Sequence, residues 1–448
     1  MENTLNKFKG FVTNKETRNR IIFTLFIIFV FRFLASVPLP GVNPDTLIEF
    51  FKDNPFSTIF SITTGGSLDS PSLVAIGLGS YISASIIVQL LQSVIPKLEE
   101  LSKEGQRGRM VINQITRYLT VPLSIVQAIV IFTLFNSGQF GNLIVDQSRS
   151  TVLAFILAIT AGTLFLMWLA EAITEHGIGQ GSTIIILLGI LSSLPGVLPD
   201  DITNFVDTNQ VSNLIFLVIG VFLLLMVVVM VSEAVRKIYI QYANRVRSVD
   251  NSYETTSPTE KSFFPIKPNL AGVMPVIFAS ALVSLPSYIS QYFLTSLAGQ
   301  ESRKLYIIAD WLQNNIYSAS AIQNYLILEV ILILLFTFMY TFTVFKPAEV
   351  AENLKKSGAF IPGIRPGINT SEYIASVVWR MTLIGAIFLA VIAISPSIMN
   401  TFSGGVRFSL FTVVGGTSLL IIVSGLLEVL RQLDALLLNR SYDKYSVS

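Results

Sequence analysis

The 448 residues are 52% apolar and only 13% charged, with a mean hydropathy of +0.66. Ordinary soluble domains carry about 25% charged residues, so a soluble globular domain is excluded and a polytopic membrane protein is indicated. A net charge of +2 points to no particular partner, and the absence of cysteine rules out disulfides and thiolate metal sites.

Residues 1–20 form a basic start with Lys7, Lys9, Lys15, Arg18 and Arg20. No cleavable leader is expected, because the first apolar run ends in Val37-Pro38-Leu39-Pro40-Gly41 without a small-residue cleavage site. Spanning a bilayer takes about 20 apolar residues in a helix. Runs approaching that length fall at Ile21–Val37, Leu73–Ile95, Tyr118–Phe135, Val152–Ile173, Ser182–Leu198, Asn213–Val235, Ala271–Leu297, Ala321–Phe345, Ile374–Ile394 and Phe408–Leu430. The expected fold is therefore all-α, a polytopic membrane protein of ten transmembrane helices. Residues 21–198 hold five of them and 213–430 the other five, with an external hinge loop at 199–212 and a tail at 431–448.

Cytoplasmic loops retain Lys and Arg. With the N-terminus inside, 23 of the 30 basic residues fall on the inner side, six on the outer side, and Arg380 within the ninth span. Both ends are thus expected in the cytoplasm of a cell membrane, with inner loops at 236–270 and 346–371. Five spans per half bring the second half into the bilayer from the opposite face, an inverted repeat. Its trace is a small-residue run in the second span of each half, Ile82-Ser83-Ala84-Ser85 and Phe278-Ala279-Ser280-Ala281.

The stretch from Phe56 to Pro96 is built poorly for facing lipid. Gly77, Gly79, Ser80, Ser83, Ser85 and Gln89 interrupt its apolar surface, and such residues suit close helix contact or a cavity lining. Phe56 to Thr63 is too short to span and stops at Gly65-Gly66, which suggests a re-entrant piece turned inward. Two inner loops are punctuated rather than loose. Pro265-Ile266-Lys267-Pro268 stops any helix before span seven, Ala348–Lys356 can form a turn or two of helix, and Gly358, Pro362-Gly363 and Pro366-Gly367 follow.

Enzyme chemistry finds no foothold. The only histidine, His176, stands near Glu171 and Glu175 and suits a polar interfacial cap better than a metal site. No phosphate-binding loop, zinc-protease or serine-elbow pattern occurs, so no catalytic residues, cofactor or metal are expected and any driving force comes from outside. Glu329 and Arg380 are ionisable groups at membrane depth, suited either to a pathway or to snorkelling at the interface.

Several stretches in order carry a family resemblance: Pro38-Leu39-Pro40-Gly41, Tyr81–Leu91, Lys103-Glu104-Gly105 with Gly108-Arg109, Gln114–Tyr118, Ile173–Gly181, Ala271–Ser280, Asn353–Gly367 and Gly415–Leu420. With these the chain resembles the SecY family, the large subunit of the Sec protein-conducting channel. The resemblance implies an hourglass pore closed by Leu78, Ile82, Ser182, Ile186, Ile277 and Ile421, with Ser182 a departure from the usual bulky aliphatic residue. It implies a re-entrant plug over about Ser57 to Gly66, including Ile59, Phe60, Ile62 and Gly65. A lateral gate would open between spans two and three and spans seven and eight, held by a polar cluster of Ser83, Gln127 and Asn269. Arg365, with Arg245, Arg247, Lys355 and Lys356, would dock a ribosome or the motor SecA.

The partners so implied are SecE-like and SecG-like membrane subunits, secretory preproteins and their signal peptides, and the lipid bilayer. The expected function is passage of unfolded secretory proteins across the membrane and sideways release of transmembrane segments. A solute transporter would need a discontinuous helix pair with midplane ligands, hinted at only by the Gly-rich second span. An intramembrane enzyme would need a catalytic constellation.

Overall fold

Apolar runs bounded by proline, glycine and serine become helices at every expected position. The computed structural model describes residues 15–42, 72–136, 148–192, 211–242, 262–296, 304–317, 322–402 and 416–446. In chain order the helices are α1 Lys15–Ala35, α2 Gly79–Val94, α3 Pro96–Lys103, α4 Gln106–Asn136 and α5 Arg149–His176. Next come α6 Gly181–Ser192, α7 Val211–Glu233, α8 Met274–Ser296 and α9 Lys304–Leu312 with a π-helical extension Gln313–Tyr317. The last four are α10 Ile322–Val344, α11 Pro347–Lys356, α12 Ile368–Phe402 and α13 Thr417–Ser446. By length and composition alone, four described stretches can cross a membrane: Gln106–Thr133, Arg149–His176, Gln323–Lys356 and Ile368–Pro396. The bent pair of α2 and α3, at 104° to each other, makes a possible fifth.

Local chemistry sets the ends. Ser148 caps α5 by accepting the Thr151 N–H at 3.4 Å, and Gly177 closes it with an N–H to the Ile173 carbonyl at 2.8 Å. Pro96 and Pro347 open α3 and α11, where a missing N–H costs nothing. Pro122, Pro286 and Pro396 sit inside α4, α8 and α12, which membrane helices tolerate when neighbours satisfy the freed carbonyls.

The second expected span differs from its forecast. Its helix begins at Gly79, and Ser72–Leu78 runs as successive turns, with Ala75 N–H to Ser72 O at 3.0 Å and Gly77 N–H to Val74 O at 2.8 Å. The Leu73 N–H donates to Val37 O at 3.0 Å, and Pro38 bridges Ser72. Helix formation is pre-empted by this pairing with the Pro38-Leu39-Pro40-Gly41 stretch. A side chain at Gly162 of α5 would lie 2.1 Å from the Leu73 carbonyl, so α5 presses directly on the turn.

Helix contacts repeat across the two halves. α2 packs on α4 and α4 on α5, and likewise α8 packs on α10 and α10 on α12. The halves meet where α8 lies against α4 and α2. One buried apolar cluster runs through the centre, drawing Phe31 from α1, Ile86 from α2, Leu166 from α5, Ile190 from α6, Phe336 from α10 and Leu389 from α12. A second joins Leu39 and Ile76 to Ala128, Phe135, Phe155 and Ile159 of α4 and α5.

The two inner loops are one body. β1 Arg236–Tyr239 pairs antiparallel with β3 Phe263–Ile266, and β2 Gln241–Tyr242 pairs with β4 Ala359–Phe360 from the other loop. Ile238, Ile266 and Ile361 pack with Ile374 and Val378 at the start of α12. The helix expected over Ala348–Lys356 is α11, ten residues long, and it packs on α12.

Candidate functional site

Leu78 caps the N-terminus of α2, and Ile82 lies one turn into it. Ile186 comes from α6, Ile277 from α8 and Ile421 from α13. All five are buried, between 2% and 8% exposed, and belong to the single central cluster. Four helices distant in sequence thus bring these aliphatic side chains to one apolar mass. Ser182, the sixth member, is only partly buried. A narrow aliphatic constriction dewets and blocks ions without any polar gate.

The polar groups expected at the seam between the halves are arranged differently. Gln127 of α4 is buried, but the hydroxyl donating to its Oε1, at 2.5 Å, belongs to Ser80. That bond ties α2 to α4 within one half. Ser83, also buried, lies one turn further along α2. The sequence reading placed Ser83 beside Gln127, whereas the hydrogen bond to Gln127 comes from Ser80. Asn269 stands just before α8 with its Oδ1 buried and without a hydrogen-bond partner among the described residues.

Of the residues expected to dock a partner, Arg365, Lys355 and Lys356 are exposed on the joined loops. The Arg365 carbonyl accepts from Thr370 Oγ1 at 2.9 Å, fixing the turn into α12. Lys356 pairs with Glu352 at 2.9 Å, and this ammonium holds the Glu352 carboxyl below its usual range. Beside them, Tyr239, Tyr242 and Phe263 project outward, with the Lys237 ammonium 4.8 Å from the Phe263 ring centre. Sequence reading missed this aromatic strip because the strands that carry it are too short to show alternation. Arg245, Arg247 and the plug residues Ser57, Ile59, Phe60, Ile62, Gly65 and Gly66 lie outside the described residues.

The acid–histidine group near the end of α5 is split by its neighbours. Arg117 of α4 takes Glu171 in a two-point contact, 2.9 Å from Nε and 2.6 Å from Nη2. His176 lies 3.9 Å from Glu175 and stacks obliquely on Phe23, 5.9 Å between ring centres. Of the two ionisable groups at membrane depth, Arg380 is exposed on the surface of α12, whereas Glu329 is buried in α10.

Comparison with known proteins follows the same lines. Residues 72–430 match the SecY family model. The protein translocase subunit SecY of Bacillus subtilis strain 168 is 40% identical over 441 residues, spanning 97% of each chain. That of Staphylococcus aureus strain NCTC 8325 is 38% identical over 445 residues, again 97% of each. A solved structure described as a protein-conducting channel superposes with a TM-score of 0.67 at 18% identity, covering 94% of this chain and 93% of that one. Sec61 from a canine ribosome–channel complex of the endoplasmic reticulum gives 0.62 at the same identity and coverage. At such identity these two establish a shared fold.

Proposed function

The chain belongs to the SecY family, and we propose that it is the central channel-forming subunit of a Sec translocon, a multi-pass membrane protein with both ends in the cytoplasm. It passes unfolded secretory proteins across the membrane and releases transmembrane segments sideways. The observation that carries this reading is the gathering of Leu78, Ile82, Ile186, Ile277 and Ile421 from four helices into one buried cluster.

The mechanism follows from the properties of that cluster. At rest the aliphatic side chains exclude water, so ions find no hydrated path. An unfolded chain can displace them, because rotameric aliphatic groups reseal around a moving strand without any specific bond to break. Ser182 thins one arc of the ring.

The seam of α8 against α2 and α4 serves as the lateral gate. The bond from Ser80 to Gln127 keeps one lip of that gate rigid. Asn269, just before α8, faces the other lip with a buried Oδ1 that has no partner among the described residues and can receive a donor from an entering chain. Interhelical polar bonds in membranes are worth roughly 0.6 to 2 kcal/mol, small enough for an apolar helix entering the seam to outcompete.

Energy comes from partners outside the membrane. The joined inner loops offer Arg365 as a rigid charged fork suited to carboxylate or phosphate, with Lys355 and Lys356 exposed on the same loops and Arg245 and Arg247 as further basic residues of the sequence, for a ribosome or SecA. SecE-like and SecG-like subunits complete the complex.

The test is transport itself. Proteoliposomes holding the purified complex, supplied with SecA, ATP and an unfolded preprotein, should protect the preprotein from added protease. Vesicles that accumulate small solutes but protect no preprotein would favour a transporter and refute this reading.

A further inference from the structure

Arg431 and Gln432, adjacent on α13, reach to opposite halves of the molecule. Arg431 Nη2 lies 2.6 Å from Glu233 Oε1 and 3.3 Å from the Ser232 carbonyl, at the end of α7. Gln432 Oε1 accepts a 2.6 Å hydrogen bond from the Gly179 N–H, in the turn that joins α5 to α6. The same turn is tied from two further sides. Thr24 Oγ1 of α1 accepts from the Ile178 N–H at 3.1 Å, and Thr174 Oγ1 accepts from the Gly181 N–H at 2.9 Å.

Close packing accompanies these bonds. Gly179 has φ +82°, and a side chain there would lie 2.8 Å from Ile184 Cδ1 and 3.0 Å from Val429 Cγ2 of α13. A side chain at Gly425 of α13 would meet Thr183 Cγ2 at 3.1 Å and Leu187 Cδ1 at 3.2 Å on α6. The two helices so joined carry Ser182 and Ile186 on one side and Ile421 on the other. This is a contact between the halves distinct from the seam at α8. α7, the next described helix after α6, packs on α13 as well.

We propose that Gln432 is a positioning residue. By accepting the Gly179 N–H it holds the α6 arc of the constriction in register with Ile421. The role rests on the channel reading. What position 432 must supply is an acceptor of the right reach, because Gly179 is buried although Gln432 itself is exposed, and a buried N–H is costly to leave bare.

Two substitutions separate acceptor from bulk. Gln432→Glu keeps an acceptor oxygen at the same reach, and Gln432→Leu removes it while keeping an apolar stem. Each full chain is assembled with its small subunits in proteoliposomes, and three quantities are read: resting ion conductance, export of a preprotein with a weakened signal, and the thermal unfolding midpoint. Loss of one hydrogen bond corresponds to about a three- to tenfold change in an equilibrium. Gln432→Leu should raise conductance and weak-signal export by about that factor, with the midpoint lowered by about 2 °C or less, and Gln432→Glu should match wild type. Thr24→Val, which loosens the same turn from another helix, should move conductance in the same direction.

Leakage from Gln432→Glu equal to that from Gln432→Leu would overturn the proposal, as would a Leu variant and a Val variant both indistinguishable from wild type. A wild type that moves preprotein beside an inert Leu variant defeats this role alone. A wild type that moves none defeats the channel reading as well.

Discussion

The proposed constriction and the inner platform are both built on buried aliphatic residues, yet they are held together in opposite ways. At the platform, backbone hydrogen bonds fix the geometry: β1 pairs with β3 and β2 with β4, and Ile266, with no exposed surface, is clamped between strand and helix. At the constriction, side chains from four helices meet with no backbone ladder between them. Strands resist deformation because moving them breaks several bonds at once, whereas helix faces slide at the cost of dispersion contacts alone. The difference accords with the proposed roles: a docking surface has to keep its shape while a pore has to lose and recover its own.

Matched truncations should expose that difference most strongly. Ile266→Ala in the platform should cost about 2–4 kcal/mol, as for a well-packed core, seen as a lower unfolding midpoint in detergent. Ile277→Ala should lower the midpoint less and instead raise resting ion conductance by about tenfold, as a wider constriction wets. Equal destabilisation with no leak at Ile277 would break the comparison. Next in size is Arg365→Glu, which should weaken SecA or ribosome binding by about tenfold, near 1.4 kcal/mol, with the unfolding midpoint unchanged. Binding and translocation at wild-type levels would remove Arg365 from the docking surface.

Asn269→Leu sharpens the comparison on the gate side. Replacing a buried carbonyl oxygen that has no partner among the described residues with an apolar group relieves a desolvation cost in the closed seam, so the seam should part less readily and export of weak-signal substrates should fall by about fivefold. Unchanged export at normal expression would count against a role at the gate. The smallest effect is expected at Glu352. Its carboxyl is held low by Lys356, so any stability it lends is present above the ordinary carboxylate range and fades as pH falls through its folded value. Both partners are exposed, where ion pairs contribute little, so Glu352→Gln should leave the pH dependence of unfolding as it is. A clear shift in that profile would mean the platform relies on surface pairs as well as on its ladder.

Much of this architecture was legible in the chain because membrane spans announce themselves by length and composition. All ten expected runs hold helix, and the small-residue character of the second span matches its burial. Less legible was whatever depends on pairing between distant segments. The Ser72–Leu78 turns look helical by apolar content, and only their bonding to Val37 and Pro38 decides otherwise. β2 and β4 have two residues each, too few for alternation to register. Gln127 is buried, but its partner is Ser80 rather than Ser83, a choice set by which face α2 turns to α4 and not visible in a run that holds both serines. The constriction residues came from resemblance alone, since an isolated Ile in a membrane helix carries no mark of its neighbours.

The most direct measurement exploits the absence of cysteine in the natural sequence. Single cysteines are placed at Ile82, Ile277 and Ile421, and, as controls, at Phe222 on the exposed face of α7 and Ile374 in the platform core. A preprotein carrying one cysteine is stalled midway through transport and the complex is oxidised. Disulfide adducts at the three constriction positions, with none at the controls, are the predicted result. Adducts confined to the control positions, or spread evenly over all five, would contradict a central aliphatic ring around the passing chain.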